Sequence, residues 1–215
     1  QRTTAIVGAS GSGKTTLVKL LLGYFAPTSG NIFLGDTPLQ DYDMTSWRHS
    51  CGVVLQDSHV FSESLARNIA VEDKHIDRTR LRTAARQANL EEFIEKLPLK
   101  YQTMVGAEGV GLSRGQEQRI FIARALYKDP SFVFLDEATN SLDANNERII
   151  TGNLLDFCKG RTVLIVAHRL STIRHADRIV VLHKGRIVEE GTHDELCARH
   201  GYYYELINNQ LIAMG

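Results

Sequence analysis

The sequence predicts an α/β fold in which a mainly parallel sheet is interrupted by an inserted helical subdomain. Short β-branched and apolar runs alternate with helical patterns towards both ends of the chain. This alternation is typical of parallel strands joined by crossover helices. Between residues 58 and 129 the pattern is helical, without a convincing strand. We therefore expect residues 1–57 and 130–215 to form the core and residues 58–129 to form the helical subdomain.

Length and composition limit the class of protein. A chain of 215 residues can bury a sizeable core. It carries 25 basic and 25 acidic residues, so its charge does not indicate nucleic acid or an anionic membrane surface as a partner. The three cysteines are widely spaced and match no metal-binding pattern, which favours reduced, packed thiols. No apolar run approaches the roughly 20 residues of a membrane span, so we expect another segment to supply any membrane part.

The first strand and helix enclose a glycine-rich loop. Residues 3–7 are β-branched and apolar, and residues 15–22 are helical in pattern. The pattern G-x-x-x-x-G-K-[ST] between them predicts a loop whose N–H groups face phosphates, with Lys14 reaching the β- and γ-phosphates and the Thr15 hydroxyl binding Mg²⁺. The expected phosphate contacts are Gly8, Ser10, Gly11, Ser12, Gly13, Lys14, Thr15 and Thr16.

The next elements lead into the helical subdomain. Strands are predicted over residues 30–36 and 53–55, the second closing at Gln56. Asp77 is the expected N-cap of one helix, and Pro98 is the expected stop of another. The predicted helices cover residues 64–70, 77–88, 90–97 and, after a glycine-rich loop, 117–127.

Strands return after Pro130, and two of them end in polar residues. Residues 131–135 run into Asp136 and Glu137, and residues 161–167 run into His168. Asp136 beside the phosphate loop suits the Mg²⁺ shell, although position alone also allows a helix N-cap. The remaining predictions are a helix over 146–158, a hairpin of 178–183 with 186–190 around Lys184–Gly185, and a helical segment over 193–210 interrupted at Gly201.

Six segments in this order resemble the nucleotide-binding domain of ABC transporters over nearly the whole chain. They are the phosphate loop, Gln56, Leu112–Gln116, Phe132–Glu137, Ser141–Asp143 and His168. The resemblance implies a RecA-like P-loop NTPase core with an inserted α-helical subdomain. It also implies ATP and Mg²⁺ as cofactors and ATP hydrolysis as the activity.

The resemblance also implies a role for each catalytic residue. Glu137 would act as the general base that polarises the attacking water. His168 would contact the γ-phosphate and support that base. Gln56 would contact Mg²⁺ and the attacking water, with Thr15 and Asp136 as further metal contacts.

The segment around Ser113 implies a dimer. In the family it completes the site of a second domain, packed head-to-tail so that two ATP molecules lie between the domains. Ser113, Gly115 and Gln116 would contact that ATP, and Asp143 would couple the two sites near the dimer axis. We expect a homodimer as the active species and no nucleic acid as a partner.

Two features depart from the family pattern. Arg114 stands where the family usually has glycine, so its side chain must point away from a phosphate or bind it directly. The family also stacks adenine on an aromatic residue upstream of the phosphate loop, and no aromatic residue precedes Gly8. We expect that residue in a segment upstream of Gln1.

The tail and the region after Gln56 indicate the kind of ABC protein. Gly191–Leu196 and Gln56–Phe61 resemble exporters, in which the latter segment meets cytoplasmic helices of the membrane domain. We expect the C-terminal motor of a bacterial exporter, on the cytoplasmic face of the inner membrane, with the transmembrane domain upstream in the same polypeptide. Arg114 suggests a peptide as cargo. The alternatives are a soluble ABC ATPase of DNA repair or translation, an importer subunit and a non-enzymatic regulatory domain.

Overall fold

The computed structural model describes residues 2–136, 138, 142–166 and 170–213. They form two compact units, residues 1–51, 131–136 and 160–215 in the first, and residues 52–130 and 137–159 in the second. The strands are β1 (Thr3–Val7), β2 (Phe33–Leu34), β3 (Thr37–Pro38), β4 (Cys51–Val54), β5 (Phe132–Asp136), β6 (Thr162–Val166), β7 (Arg178–His183) and β8 (Arg186–Gly191). The helices are α1 (Lys14–Leu21), α2 (Met44–His49), α3 (Leu65–Ile69), α4 (Arg78–Gln87), α5 (Glu91–Glu95), α6 (Arg114–Lys128), α7 (Ala144–Cys158), α8 (Leu170–Ile173), α9 (His193–Ala198) and α10 (Tyr202–Ala213).

The first unit is built on a sheet with the strand order β5-β6-β1-β7-β8. The β5, β6, β1 and β7 strands are parallel, and β8 returns antiparallel to β7. Ala5 and Ile179 are fully buried on neighbouring strands, as expected of a parallel sheet covered on both faces. The strands predicted over residues 3–7, 131–135 and 161–167 are present close to their predicted positions. The strand predicted over residues 30–36 is wrong in extent: only β2 is formed, because Gly35 (φ 62°) turns the chain so that β2 pairs antiparallel with β3 in a separate two-stranded sheet.

Strand order fixes where the polar residues after the strands meet. Strands β5 and β1 both pair with β6, and all three run in the same direction. Their carboxyl ends therefore lie at one edge of the sheet. Asp136 ends β5 at this edge, and the glycine-rich loop leaves β1 at the same edge.

Helix α2 was not predicted, and it packs against the sheet of the first unit. The Asp43 carboxylate caps it by accepting a hydrogen bond from the N–H of Ser46 at 2.8 Å. Its buried Trp47 lies edge-on to Phe132, with 4.9 Å between ring centroids. The helix was missed because it is only 6 residues long and owes its stability to this tertiary contact.

The carboxyl-terminal part of the first unit agrees with the prediction. The hairpin of β7 and β8 is present around Lys184–Gly185, as predicted. The closing helical segment is interrupted next to Gly201, as predicted, and this break divides it into α9 and α10. Thr192 opens α9 with a capping box, and the left-handed residue His200 (φ 51°) separates the two helices.

The second unit is mainly helical. Asp77 caps α4 as predicted, accepting hydrogen bonds from the N–H groups of Thr79 and Arg80. Helix α6 begins at Arg114, earlier than the predicted Glu117, because Ser113 and Gln116 form a capping box. This earlier start places the Leu112–Gln116 segment at the helix N-terminus.

Candidate functional site

The glycine-rich loop joins β1 to α1 in the first unit. Gly13 occupies the N-cap position of α1 with φ 101°, a conformation that favours glycine. Among the described residues no side chain caps this helix. The first-turn N–H groups and the helix dipole therefore face the loop, which is the arrangement that binds phosphate.

Gly8 is required at the start of the loop by close packing. A Cβ atom at this position would lie 2.2 Å from the carbonyl oxygen of Leu182 in β7. It would also lie 2.6 Å from Oγ of the buried Ser12. The loop therefore begins in direct backbone contact with the neighbouring strand, which only glycine permits without displacement.

The Lys14 side chain folds back inside the loop. Its Nζ donates hydrogen bonds to the carbonyl oxygens of Gly8 and Ala9, both at 2.9 Å, and lies 3.5 Å from Ser12 Oγ. Lys14 is only 7% exposed, although a charged lysine is seldom buried without partners. The Lys14 ammonium, fixed in place by these hydrogen bonds inside an anion-binding loop, is suited to bridging phosphate oxygens.

Thr15 and Asp136 meet across the first unit. The Thr15 hydroxyl donates a hydrogen bond to Oδ2 of Asp136 at 2.8 Å, although the residues are 121 positions apart in the chain. Asp136 is 2% exposed, so its carboxylate sits in a dry environment beside the loop. A hydroxyl and a carboxylate oxygen are hard ligands of the kind that Mg²⁺ prefers.

The hairpin of β7 and β8 contacts the glycine-rich loop, although it lies near the other end of the chain. The sequence did not predict this contact. The N–H of Gly185, at the hairpin tip, donates to the carbonyl oxygen of Ser12 at 3.0 Å. Because β7 pairs with β1, the hairpin tip is brought beside the loop that follows β1. Turn chemistry predicts the hairpin itself. Its contact with the glycine-rich loop follows only from the pairing of β7 with β1.

In the second unit, the Ser113 segment forms the start of α6. The Ser113 hydroxyl accepts a hydrogen bond from the N–H of Gln116 at 3.2 Å, and Oε1 of Gln116 accepts one from the N–H of Ser113 at 2.8 Å. Arg114, the first residue of the helix, is exposed.

Asp143 caps α7 and belongs to a polar network in the second unit. Its Oδ1 accepts hydrogen bonds from the N–H groups of Asn145 and Asn146. The pKa of Asp143 is lowered, mainly by the hydrogen bond from the side chain of Asn146. Arg119 extends this network to α6, with Nη1 at 3.5 Å from Asn146 Oδ1 and Nε donating to the carbonyl oxygen of Gly115 at 3.2 Å.

The other predicted site residues are distributed between the two units. In the first unit, Ser10, Gly11 and Thr16 are exposed on the phosphate loop and at the start of α1. Gln56 is exposed and follows β4 in the second unit.

Three predicted residues, Glu137, Ser141 and His168, lie outside the described residues. The sequence did not predict the hydrogen bonds that Arg119 makes to Gly115 and Asn146, or the one from Gly185 to Ser12, because neither residue stands in a recognisable catalytic pattern.

Comparison with known proteins gives the family. The sequence model of the family described as "ABC transporter" matches residues 1–140. The chain belongs to the ABC transporter family. This confirms the predicted P-loop fold and the predicted ABC-type ATPase activity, and ATP is the nucleotide that such a domain binds.

Several proteins that the chain resembles are named as flippases or exporters. The chain is 48% identical to the ATP-dependent lipid A-core flippase of Chromohalobacter salexigens over 94% of its length, which is 35% of that protein. It is 46% identical to the lipid A-core flippase of Saccharophagus degradans, covering 97% of this chain and 36% of that one. The structure of a bacterial Atm1-family ABC exporter with ATP bound matches with a TM-score of 0.93 and 38% identity, over 98% of this chain and 37% of that one.

The chain therefore spans about a third of the length of the curated relatives that it matches. Within the part of the chain that the structure describes, no helix is both long enough and apolar enough to cross a membrane.

Proposed function

We propose that this ABC domain hydrolyses Mg²⁺-ATP as the motor of a bacterial exporter. The observation that carries the proposal is the hydrogen bond between Thr15 and Asp136 beside the buried Lys14 ammonium. Lys14 and Thr15 are consecutive in the chain, and Asp136, 121 positions from Thr15, meets them where the phosphate loop ends. An N-cap role for Asp136 alone, the alternative left open by the sequence, needs neither partner.

The loop residues bind and orient the triphosphate. N–H groups at the start of α1 and the Lys14 ammonium would hold the β- and γ-phosphates in place, which is most of what a protein contributes to phosphoryl transfer. The contact of Gly8 with β7 and the bond from Gly185 to Ser12 keep the loop in one conformation. A preformed loop loses little entropy when the nucleotide binds.

The donor set next to the loop fits Mg²⁺. Thr15 Oγ1 and Asp136 Oδ2 are 2.8 Å apart and would hold the ion, directly or through water. When bound, Mg²⁺ neutralises the charge that develops on the β- and γ-phosphate oxygens. Gln56 is the third proposed metal contact, by the resemblance to the family.

Hydrolysis also needs a base that activates water. The family resemblance assigns this role to Glu137, which accepts a proton from, or polarises, the attacking water. His168 would contact the γ-phosphate and orient that carboxylate. A positioned general base contributes about 10²- to 10⁴-fold to the rate, so these two residues determine turnover rather than ATP binding.

The second half of the site comes from another copy of the domain. The N-terminus of α6, capped by Ser113, has the free N–H groups and dipole that bind a γ-phosphate. We propose that Ser113, Gly115 and Gln116 contact the ATP held by the partner. Asp143, linked to α6 through Asn146 and Arg119, would couple the two sites.

A cavity in the second unit is the proposed contact with the membrane domain. It has a volume of about 410 Å³ and is lined by Ser58, His59, Val60, Gly106, Ala107, Gly111, Leu112, Glu117 and Phe121. The region after Gln56, which the sequence resemblance assigned to this contact, lines it together with Gly106 and Ala107 from the glycine-rich loop before α6. Since the relatives are about three times as long as this chain, we propose that a cytoplasmic helix of the remaining part occupies it. The domain would then lie at the cytoplasmic face of the inner membrane.

The substrate of the whole exporter is proposed from the relatives. Two of them are named lipid A-core flippases, at 46% and 48% identity. Their names do not support the peptide suggested by Arg114, and the exposed arginine side chain offers no reason to prefer one. We propose a large amphipathic lipid as the cargo class.

The test is steady-state Mg²⁺-ATPase activity of the chain at increasing protein concentration, with Glu137→Gln measured in parallel. We expect specific activity to rise with concentration, because two chains complete each site. Glu137→Gln should bind ATP as tightly as the unmodified chain, lose at least about 100-fold in turnover and accumulate an ATP-bound dimer.

Lys14→Ala is the control for binding, and it should abolish both ATP binding and the dimer. Unchanged turnover in Glu137→Gln would remove Glu137 from the role of base. Specific activity that is independent of concentration would contradict the shared site.

A further inference from the structure

Arg124, in the C-terminal half of α6, connects this helix to the chain segment of residues 58–68. Its Nε donates to the carbonyl oxygen of Asn68 at 2.8 Å, and its Nη2 donates to the carbonyl oxygen of His59 at 3.3 Å. Both acceptors belong to the second unit, as does α6. One guanidinium group therefore bonds two separate points of the segment.

Two aromatic rings lie against the same guanidinium group. The Arg124 Cζ atom lies 5.1 Å from the ring centroid of Phe61 and 5.4 Å from that of Phe121. Burial lowers the pKa of Arg124 to about 10, so the group remains charged at neutral pH. A charged group in a partly dry site is attracted strongly to carbonyl dipoles and ring faces.

The segment held by Arg124 is itself rigid. The fully buried Asn68 side chain accepts a hydrogen bond from the N–H of Phe61 at 2.8 Å. Its amide group donates to the carbonyl oxygens of Phe61, Ser64 and Glu63 at 3.0, 3.2 and 3.3 Å. Residues 61–64 are thus wrapped around the side-chain amide of Asn68. The backbone carbonyl group of Asn68 is in turn bonded to Arg124.

This linkage joins the wall of the cavity to the start of α6. Ser58, His59 and Val60 form one wall of the cavity, whereas Glu117 and Phe121 form another. Arg124 bonds the first wall to the helix that carries the second. Leu112 lines the cavity too, and it directly precedes Ser113, the N-cap of that helix.

We propose that Arg124 is a positioning residue that makes residues 58–64 and α6 move as one body, so that a displacement of the cavity wall reaches the helix turn capped by Ser113. The inference deepens the proposed function and rests on it, because the cavity is the proposed membrane-domain contact and Ser113 the proposed phosphate contact. Lysine cannot replace Arg124. Its ammonium is a single point donor and lacks the planar fork by which Nε and Nη2 of Arg124 bond two carbonyl groups in different places beside the rings.

The experiment attaches a bulky group to the cavity wall and measures its effect at the start of α6. Val60→Cys is labelled with a fluorescein maleimide in a Cys197→Ala background, since Cys51 and Cys158 are buried. Hydrogen exchange of the backbone amides at residues 114–118 is then compared with and without the label. The comparison is made with Arg124 present and with Arg124→Lys.

With Arg124 present, we expect labelling to change exchange at residues 114–118. In Arg124→Lys the label should leave that exchange unchanged, while amides at 59–64 exchange about tenfold faster, the scale for losing one charge-assisted hydrogen bond. Phe61→Leu, which removes one exposed ring, should weaken the transmission partially without affecting folding.

Arg80→Lys is the matched control. Arg80 also donates to a backbone carbonyl group, that of Tyr127, and lies over its ring at 4.7 Å, but it contacts no part of the cavity wall among the described residues. The Arg80→Lys substitution should leave the effect of the label on exchange at residues 114–118 intact, even if the substitution lowers the melting temperature.

The proposal would be overturned if the label changed exchange at residues 114–118 equally in the chain with Arg124 and in Arg124→Lys. It would also be overturned if the label left that exchange unchanged when Arg124 is present. Because exchange is measured without ATP, this outcome is independent of the ATPase test. Failure of ATP hydrolysis in the unmodified chain would refute the proposed function, whereas failure of transmission alone would refute only the role of Arg124.

Discussion

Replacing Gly8 with alanine tests whether close backbone packing determines the shape of the phosphate loop. The new Cβ atom would lie 2.2 Å from the carbonyl oxygen of Leu182 and 2.6 Å from Ser12 Oγ. The serine hydroxyl can rotate, but the carbonyl group belongs to the hydrogen-bonded strand β7. The clash can therefore be relieved only by moving the loop away from β7 or by distorting the sheet.

The cost follows from the size of the overlap. Forcing a methyl group into a packed interior costs about 1–3 kcal/mol. In a chain of this length each kcal/mol lowers the melting temperature by about 2–4 °C, so we expect a drop of about 2–12 °C. Since Lys14 donates to the Gly8 carbonyl group at 2.9 Å, displacement of Gly8 should also weaken ATP binding.

The assay is thermal unfolding followed by circular dichroism, with binding of a fluorescent ATP analogue measured on the same samples. Gly152→Ala is the matched control, because Gly152 lies in α7 and a Cβ atom there would meet nothing within 4 Å. Removing a glycine from a helix interior should stabilise the chain by about 0.5–1 kcal/mol. If Gly8→Ala had the same melting temperature as the unmodified chain and bound the analogue equally well, the packing argument would be refuted.

Two further substitutions test the site and the helical unit. Thr15→Ala removes the hydroxyl that donates to Asp136, so the Mg²⁺ concentration for half-maximal ATPase activity should rise at least about tenfold, whereas Thr15→Ser should restore it; an unchanged Mg²⁺ requirement would contradict the metal assignment. Asp77→Ala removes the cap of α4 and should lower the free energy of unfolding in urea by about 0.5–2 kcal/mol, with Asp77→Asn close to the unmodified chain. A midpoint unaffected by Asp77→Ala would show that the cap is dispensable.

Local features of the fold followed from the sequence with little error. The phosphate loop between strand and helix, the Asp77 cap and the Lys184–Gly185 hairpin each depend on a few adjacent residues with fixed chemistry. Errors occurred where local signals competed with packing. Helix α2 was missed because its burial of Trp47 against Phe132 involves residues far apart in the chain.

The sequence by itself determined the type of site, because glycine spacing, a lysine and acidic strand ends specify phosphate and Mg²⁺ chemistry through residue type and order. Tertiary structure alone decided which atoms meet. Thr15 and Asp136 are 121 positions apart and touch only because β5 and β1 flank β6 in the same direction. The contacts of Gly185 with Ser12, and of Arg124 with His59 and Asn68, have the same origin. Hydrogen bonds between distant segments depend on strand order and helix packing, which residue patterns do not encode locally.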